Sequence, residues 1–249
     1  MNKAWLRRRL RDSITFWYQL ILGQRFVAKR LGLHLLFDLD DIVDKYLLAF
    51  RAFESAEQRL LFDAVTAGVS PGQRNIFIDV GAHSGLYALL AWQSKLFNRI
   101  IAIEADPRNF AQLKANLFLN RAVTQIDAVE AAASNVAGEL TFSLASDRGR
   151  DLSMVAGGEK KPGFTDYAVR SVRIDDLENM EGGFLAAKID VEGHETQVIQ
   201  GMLRLLKANR CCLQIEVWPN GVPEFLELMK GLGFNQFSQV GNDYFFKNY

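Results

Sequence analysis

"NIFIDVGAHSG", residues 75–85, is an apolar run of strand length that stops at a glycine turn. The residues that follow, "LYALLAWQSKLF" (86–97), have the length and composition of a helix. The alternation then repeats. "RIIAIEAD" (99–106) predicts a second strand, and "PRNFAQLKANLFLN" (107–120) a second helix with Pro107 in its first turn. "VTQIDAVEAAAS" (123–134), "FLAAKIDV" (184–191) and "RCCLQIEVW" (210–218) predict three more strands. "ETQVIQGMLRLLKAN" (195–209) and "PEFLELMKGLG" (223–233) predict helices after the last two, and "NQFSQVGNDYFFKNY" (235–249) alternates like a terminal hairpin. Strands alternating with helices imply a mostly parallel sheet with right-handed crossovers. Ligands of such sheets sit outside the carboxyl ends of the strands.

Two stretches stand outside this alternation. Residues 1–70 form an N-terminal helical and strand extension to a domain spanning 71–249. Residues 135–183 form an insertion in that domain, with a strand pair predicted at "GELTFSLA" (138–145) and "YAVRSVRI" (167–174). The polar, glycine-rich loop 146–164 between them lies near the strand ends, where a mobile lid is useful.

The turn itself, "DVGAHSG", spaces Asp79, Gly81 and Gly85 between strand and helix. The dinucleotide fingerprint G-x-G-x-x-G fails because His83 occupies its second glycine position, and the Gly-Lys-Ser/Thr of a phosphate-binding loop is absent. What remains is D-x-G-x-x-x-G, the turn of S-adenosylmethionine enzymes. Asp79 can attract the methionine ammonium of that cofactor, and backbone N–H groups of Gly81, Ala82, His83 and Gly85 can hold its carboxylate. Glu104, 23 residues after Gly81 and followed by Ala105, ends the second strand, where an acid meets ribose hydroxyls.

These stretches, with "KIDVEGHE" (188–195) and "LQIEVWP" (213–219), resemble the FkbM family of S-adenosylmethionine-dependent methyltransferases, over about residues 70–230. "RAFESAEQRLLF" (51–62) is similar to the segment those proteins carry before the glycine turn, and His83 stands where asparagine is frequent. The resemblance implies an α/β, Rossmann-like class I methyltransferase. Its mostly parallel sheet has helices on both faces and an antiparallel C-terminal strand. It further implies that the loop after Asp190 approaches the transferable methyl, and that the acceptor is a hydroxyl of a sugar, glycolipid or secondary metabolite.

"KIDVEGHETQ" (188–197) packs Asp190, Glu192, His194 and Glu195 into six positions. Asp190 and Glu192, two apart, would share a face of a strand. His194 has the side-chain pKa best suited to taking a hydroxyl proton near neutral pH, with Asp190 and Glu216 as rival bases. Glu195 suits the positive end of a helix. Carboxylates could also hold Mg²⁺, but the spacing matches no dedicated metal motif, and chemistry without a metal is expected. Trp218 could stack on a sugar ring or pack. His34 reads as structural.

At 249 residues, 49% hydrophobic and 23% charged, the chain has the composition of a soluble globular enzyme. Its net charge of zero leaves no global electrostatic footprint for nucleic acid, so a small-molecule or glycan acceptor and no nucleic acid are expected. The charge is uneven: residues 1–30 carry eight Lys and Arg against Asp12 alone, a balance of +7, which leaves −7 for residues 31–249. Such a basic end suits an anionic surface. Within it, Leu6, Leu10, Ile14, Trp17 and Ile21 mark one face of a helix. That face fits packing, homo-oligomerisation, or peripheral contact of residues 1–24 with the inner face of a membrane. Adjacent Cys211 and Cys212 point to opposite faces of a strand and read as buried thiols of a reducing, cytoplasmic compartment.

Two other readings carry their own signals. "LLFDLDDIV" (35–43) is similar to the first motif of haloacid-dehalogenase-type phosphatases, which would make Asp38 the nucleophile and Asp40 an acid/base. The sheet such an enzyme builds on that strand has little room in residues 44–74. A non-catalytic adapter that keeps the cofactor fold is the other.

Overall fold

The computed structural model describes residues 3–145, 153–155 and 164–249. Before the glycine turn come α1 (Lys3–Leu22), β1 (Arg25–Arg30), β2 (Leu33–Asp38), α2 (Ile42–Phe50) and α3 (Ser55–Gly68). The expected alternation follows as β3 (Asn75–Val80), α4 (Leu86–Ser94), β4 (Arg99–Glu104), α5 (Pro107–Leu119) and β5 (Ile126–Glu130). A two-residue strand, β6 (Ala132–Ala133), precedes the insertion, which supplies β7 (Gly138–Ala145), β8 (Ser153–Val155) and β9 (Phe164–Val172). The chain ends with α6 (Ile174–Leu177), β10 (Phe184–Ile189), α7 (Glu195–Gln200), α8 (Leu203–Ala208), β11 (Arg210–Glu216), α9 (Val222–Gly231), β12 (Asn235–Val240) and β13 (Asp243–Lys247).

Seven strands form the central sheet in the order β12-β13-β11-β10-β3-β4-β5. β11, β10, β3, β4 and β5 run parallel, and the terminal hairpin adds β13 antiparallel to β11. Every residue of β3 and β10 is buried, which is why both read as continuous apolar runs rather than alternating ones. The sheet has an apolar layer on each face. Val198, Leu205 and Phe225 from α7, α8 and α9 pack on one, and Leu61, Leu89 and Leu113 from α3, α4 and α5 on the other. Cys211 lies in the first layer and Cys212 in the second, both as free thiols. The strand order reverses between β3 and β10, where ligands of such sheets bind.

The structure differs from the sequence expectations in several places. The strand expected over 123–134 is split into β5 of the central sheet and β6, which pairs with β9 in a separate four-stranded sheet. The helix expected over 195–209 is two short ones. The break falls at Gly201 and Met202, and position 201 requires glycine because a Cβ there would lie 2.0 Å from the Ser134 carbonyl oxygen. The strand carrying Asp190 ends at Ile189, and Glu192 sits in a left-handed turn (φ 54°), so Asp190 and Glu192 do not share a strand face. The apolar face of α1 is not the one that packs. The buried side carries Arg11 and Thr15, while Leu6, Leu10, Trp17 and Ile21 are exposed.

β7 and β9 pair antiparallel as expected, and apart from 153–155 and 164 the loop read as a lid lies outside the described residues. β1 and β2 form a separate two-stranded hairpin. Asn120 and Asn116 tie it to α5, accepting from the backbone N–H of His34 and Leu36 at 2.9 and 2.7 Å. Leu33, Leu35 and Phe37 enter the same apolar layer as Phe77 and Leu113. Asp38 therefore ends a hairpin strand, paired with Arg25 at 2.6 Å, and not the parallel sheet strand a phosphatase nucleophile needs.

Candidate active site

A cavity of about 270 Å³ opens at the carboxyl ends of β3, β4, β10 and β11. One side is the glycine turn. Gly81 has φ +73°, and a Cβ there would lie 1.8 Å from the Asp190 carbonyl oxygen. Glycine is thus required by the protein's own backbone, which packs the turn against the loop after β10. Asp79 is buried beneath the turn and accepts from the Ala88 N–H of α4 at 2.9 Å. Burial pushes its carboxyl up to about 7 against the pull of Lys188 and the Ala88 N–H.

Glu104 ends β4 and is buried. One oxygen accepts the His83 N–H at 2.7 Å, the other the Asp106 N–H at 2.7 Å. The carboxylate thereby holds the turn in place, and each oxygen keeps a second lone pair for a ligand. His83 is left-handed (φ 52°), and its Nε2 lies 2.8 Å from Asp41 Oδ2 at the start of α2. Burial alone would lower the imidazole, but the hydrogen bond and charge of Asp41 outweigh it and raise it to about 9. Ala82 and Ala105 line the cavity beside them, and Ile103 and Ala131–Ala133 give it an apolar wall.

The other side is built on "KIDVEGH". Lys188 is buried, with Nζ 2.7 Å from Asp190 Oδ2 and 5.2 Å from the centre of the Tyr87 ring. Burial opposes its charge, yet Asp190, Glu54 and Tyr87 together hold it well above the ordinary lysine range. Asp190 is likewise held ionised: burial raises it, and Lys188 more than reverses that. Glu216, at the end of β11, hydrogen-bonds to Asp190 and is pushed up to about 9, first by burial and then by the Asp190 charge. A neutral Glu216 and an ionised Asp190 thus share a proton, a division expected of two close carboxyl groups. Tyr87 donates to Glu54 Oε2 at 2.9 Å and accepts from Gln214 at 3.1 Å, which ties the segment before the turn into the same network.

His194 lines the cavity from just before α7, its Nε2 3.0 Å from Ser134 Oγ, and burial lowers its pKa. Glu192 also lines the cavity, hydrogen-bonded to Trp218, and burial and Asp190 raise it to about 7. Glu195 turns away to accept the Gly193 N–H at 2.7 Å, a local loop contact. His34, in β2, is exposed and meets Asn120 at the end of α5 through its backbone. The sequence reading missed Lys188, Tyr87 and Ser134. Lys188 had a legible signal: a lone lysine in the apolar run "FLAAKI", two residues before Asp190.

A doubly wound sheet of this order, with a glycine turn after β3 and acids ending β4 and β11, defines the class I methyltransferase fold. The Methyltransferase FkbM domain matches residues 79–236, more than half of the chain, and the chain belongs to that family. No curated protein matches the sequence. Among solved structures, "Human methyltransferase 10 domain containing protein" superposes with a TM-score of 0.54 at 13% identity, covering 96% of each chain. The hMettl16 catalytic domain in complex with MAT2A 3'UTR hairpin 1 superposes at 0.51 and 14%, covering 96% of this chain and 80% of that one. Methyltransferase FkbM from Methylobacillus flagellatus KT gives 0.49 and 16%, covering 82% and 53%.

At these identities the likeness is one of fold. It corrects one expectation, the exclusion of nucleic acid. That exclusion rested on a net charge of zero, and a solved protein of this fold carries an RNA hairpin. Net charge sums over the whole surface, whereas nucleic acid meets one patch of it.

Proposed function

We propose that this methyltransferase uses S-adenosylmethionine to methylate a hydroxyl of a sugar, glycolipid or secondary metabolite. The observation that carries the reading is a single cavity that holds Asp79 and Glu104 on one side and Lys188, Asp190, Glu216 and His194 on the other. The residues present fit the cofactor. Asp79 and the free lone pairs of Glu104 match an ammonium and a ribose diol, and the Ile103 and Ala131–Ala133 wall matches an adenine ring. When bound, the cofactor supplies an electrophilic methyl on a sulfonium. Everything else falls to the chain: to exclude water, align the acceptor and remove its proton.

His194 is our candidate base. Lowered by burial, it is neutral at pH 7, and the Ser134 contact at Nε2 leaves Nδ1 for the acceptor proton. Glu216, protonated at neutral pH, serves as a donor and not as a base. Asp190, held ionised by Lys188, orients the acceptor hydroxyl. The two buried thiols support a reducing, cytoplasmic setting.

His194→Ala should lower turnover by roughly 10²-fold with cofactor affinity by calorimetry nearly unchanged. Turnover is read as gain of one methyl mass on hydroxylated extract components. Cofactor binding with no acceptor methylated by the unmodified protein would favour the adapter reading, and failure to bind S-adenosyl ligands would end this proposal.

A further inference from the structure

α1 is docked by one side only. Toward the body, Arg11 lies 5.0 Å over the Tyr46 ring of α2, Thr15 is buried, and Tyr18 stacks on Phe26 of β1 at 5.6 Å. The opposite side carries Trp5, Leu6, Leu10, Trp17, Leu20 and Ile21 in the open, with Leu20 66% and Ile21 74% exposed. An apolar stripe over a 20-residue helix is far more than a stray surface leucine. Cations are interleaved with it. Arg9 lies 4.7 Å over the Trp5 ring, Arg8 is 76% exposed, and Lys29 on β1 is exposed. They belong to the segment whose balance is +7, on a body of −7.

We infer that α1 lies flat on an anionic lipid surface, with its apolar stripe at the boundary of headgroups and acyl chains and its arginines among the phosphates. Charge decides among the occupants. A second copy meeting this face through its own would bring two +7 segments together, an arrangement that costs free energy. An RNA would satisfy the arginines and stack on the tryptophans, but leave Leu6, Leu10, Leu20 and Ile21 in water. A bilayer interface satisfies both sets at once, since tryptophan favours that depth and basic side chains reach the phosphates. No helix among the described residues is long and apolar enough to cross a membrane, so the geometry is one of lying on it. The docked helix sits one element from the cavity: it packs on α2, where Asp41 pairs with His83 and Val43 lines the cavity wall.

The test uses the full chain with phosphatidylcholine vesicles containing or lacking phosphatidylserine, read by sedimentation and tryptophan fluorescence. Binding should be at least roughly tenfold tighter to the anionic vesicles, shift the emission to the blue, and weaken as salt rises. Arg8→Glu with Arg9→Glu should abolish the preference for phosphatidylserine. Leu20→Ser with Ile21→Ser should weaken binding to both vesicle types at an unchanged melting temperature, since both positions are exposed. Should either pair melt early, the selectivity and salt dependence of the unmodified chain still decide. Three results overturn the inference: equal or absent binding to the two vesicles; capture of an RNA hairpin through Arg8 and Arg9 while vesicles are ignored; or a dimer, indifferent to lipid, that Leu20→Ser with Ile21→Ser dissociates.

Discussion

At the scale of single residues, the site is governed by a close backbone approach and by the apportioning of protons. Gly81 meets the Asp190 carbonyl where a Cβ would stand 1.8 Å away, in a left-handed conformation (φ +73°). Gly81→Ala should therefore cost about 3 kcal/mol or more in urea unfolding and displace the Asp190 loop. A variant as stable as the parent would show that the approach is looser than the structure has it. Glu216 makes a pH-dependent contribution of definite sign. Its folded pKa of about 9 lies above the ordinary 4.5, so its stabilising contribution is complete below 4.5 and lost as pH rises toward 9. Glu216→Gln mimics the protonated form, so the variant should gain stability relative to the parent between those limits. Melting temperatures measured across that range check it, and parallel curves would mean that Glu216 ionises like a free carboxylate.

At the scale of elements, the glycine turn is held from outside the sheet. Asp41 caps α2 by accepting the Asp44 N–H at 3.0 Å and also meets His83 at 2.8 Å. One carboxylate thus links the N-terminal extension to the glycine turn. His83→Asn should keep the turn, since asparagine tolerates left-handed backbone, but lose roughly 1.5–3 kcal/mol from the charged hydrogen bond. The pH dependence has the same sense as for Glu216. The imidazole is raised from 6.5 to about 9, so its contribution is present below 6.5 and lost on the way to 9. The gap in stability between parent and His83→Asn should close as pH rises through that window, and denaturant titrations at pH 6 and at pH 9 would show it; a constant gap would mean that the pair is not ionic.

At the scale of the whole molecule, the extension is part of the core. Leu33, Phe37, Leu47, Leu61 and Val65 are buried in the same apolar layer as Phe77, Leu89 and Leu113. Burying such side chains is worth roughly 1.5–3 kcal/mol each, and their removal would leave one face of the sheet uncovered. A chain lacking residues 1–70 should lose near-ultraviolet circular dichroism and bind hydrophobic dyes, as a loosely packed state does. A shortened chain that melts cooperatively, with the parent's spectrum, would make residues 71–249 an independent unit.

The order of strands and helices, the glycine turn, and the strand-end acids Asp79, Glu104 and Glu216 are legible without the fold. All of these are written in periodicities and turn chemistry that involve near neighbours only. The sequence also showed that α1 has an apolar stripe, since helical spacing is local. Which side of α1 the body covers was beyond it, because periodicity records a face and not what lies against that face. The partners that set the chemistry were likewise decided by tertiary structure. Tyr87 reaches Glu54 across 33 residues and Gln214 across 127, and His83 reaches Asp41 from another element. Lys188 illustrates the division. Its place beside Asp190 is local, but its charge persists in a buried strand only because the fold gathers Asp190, Glu54 and Tyr87 around it. The cost of desolvating one cation is met by groups that only the folded chain brings within reach.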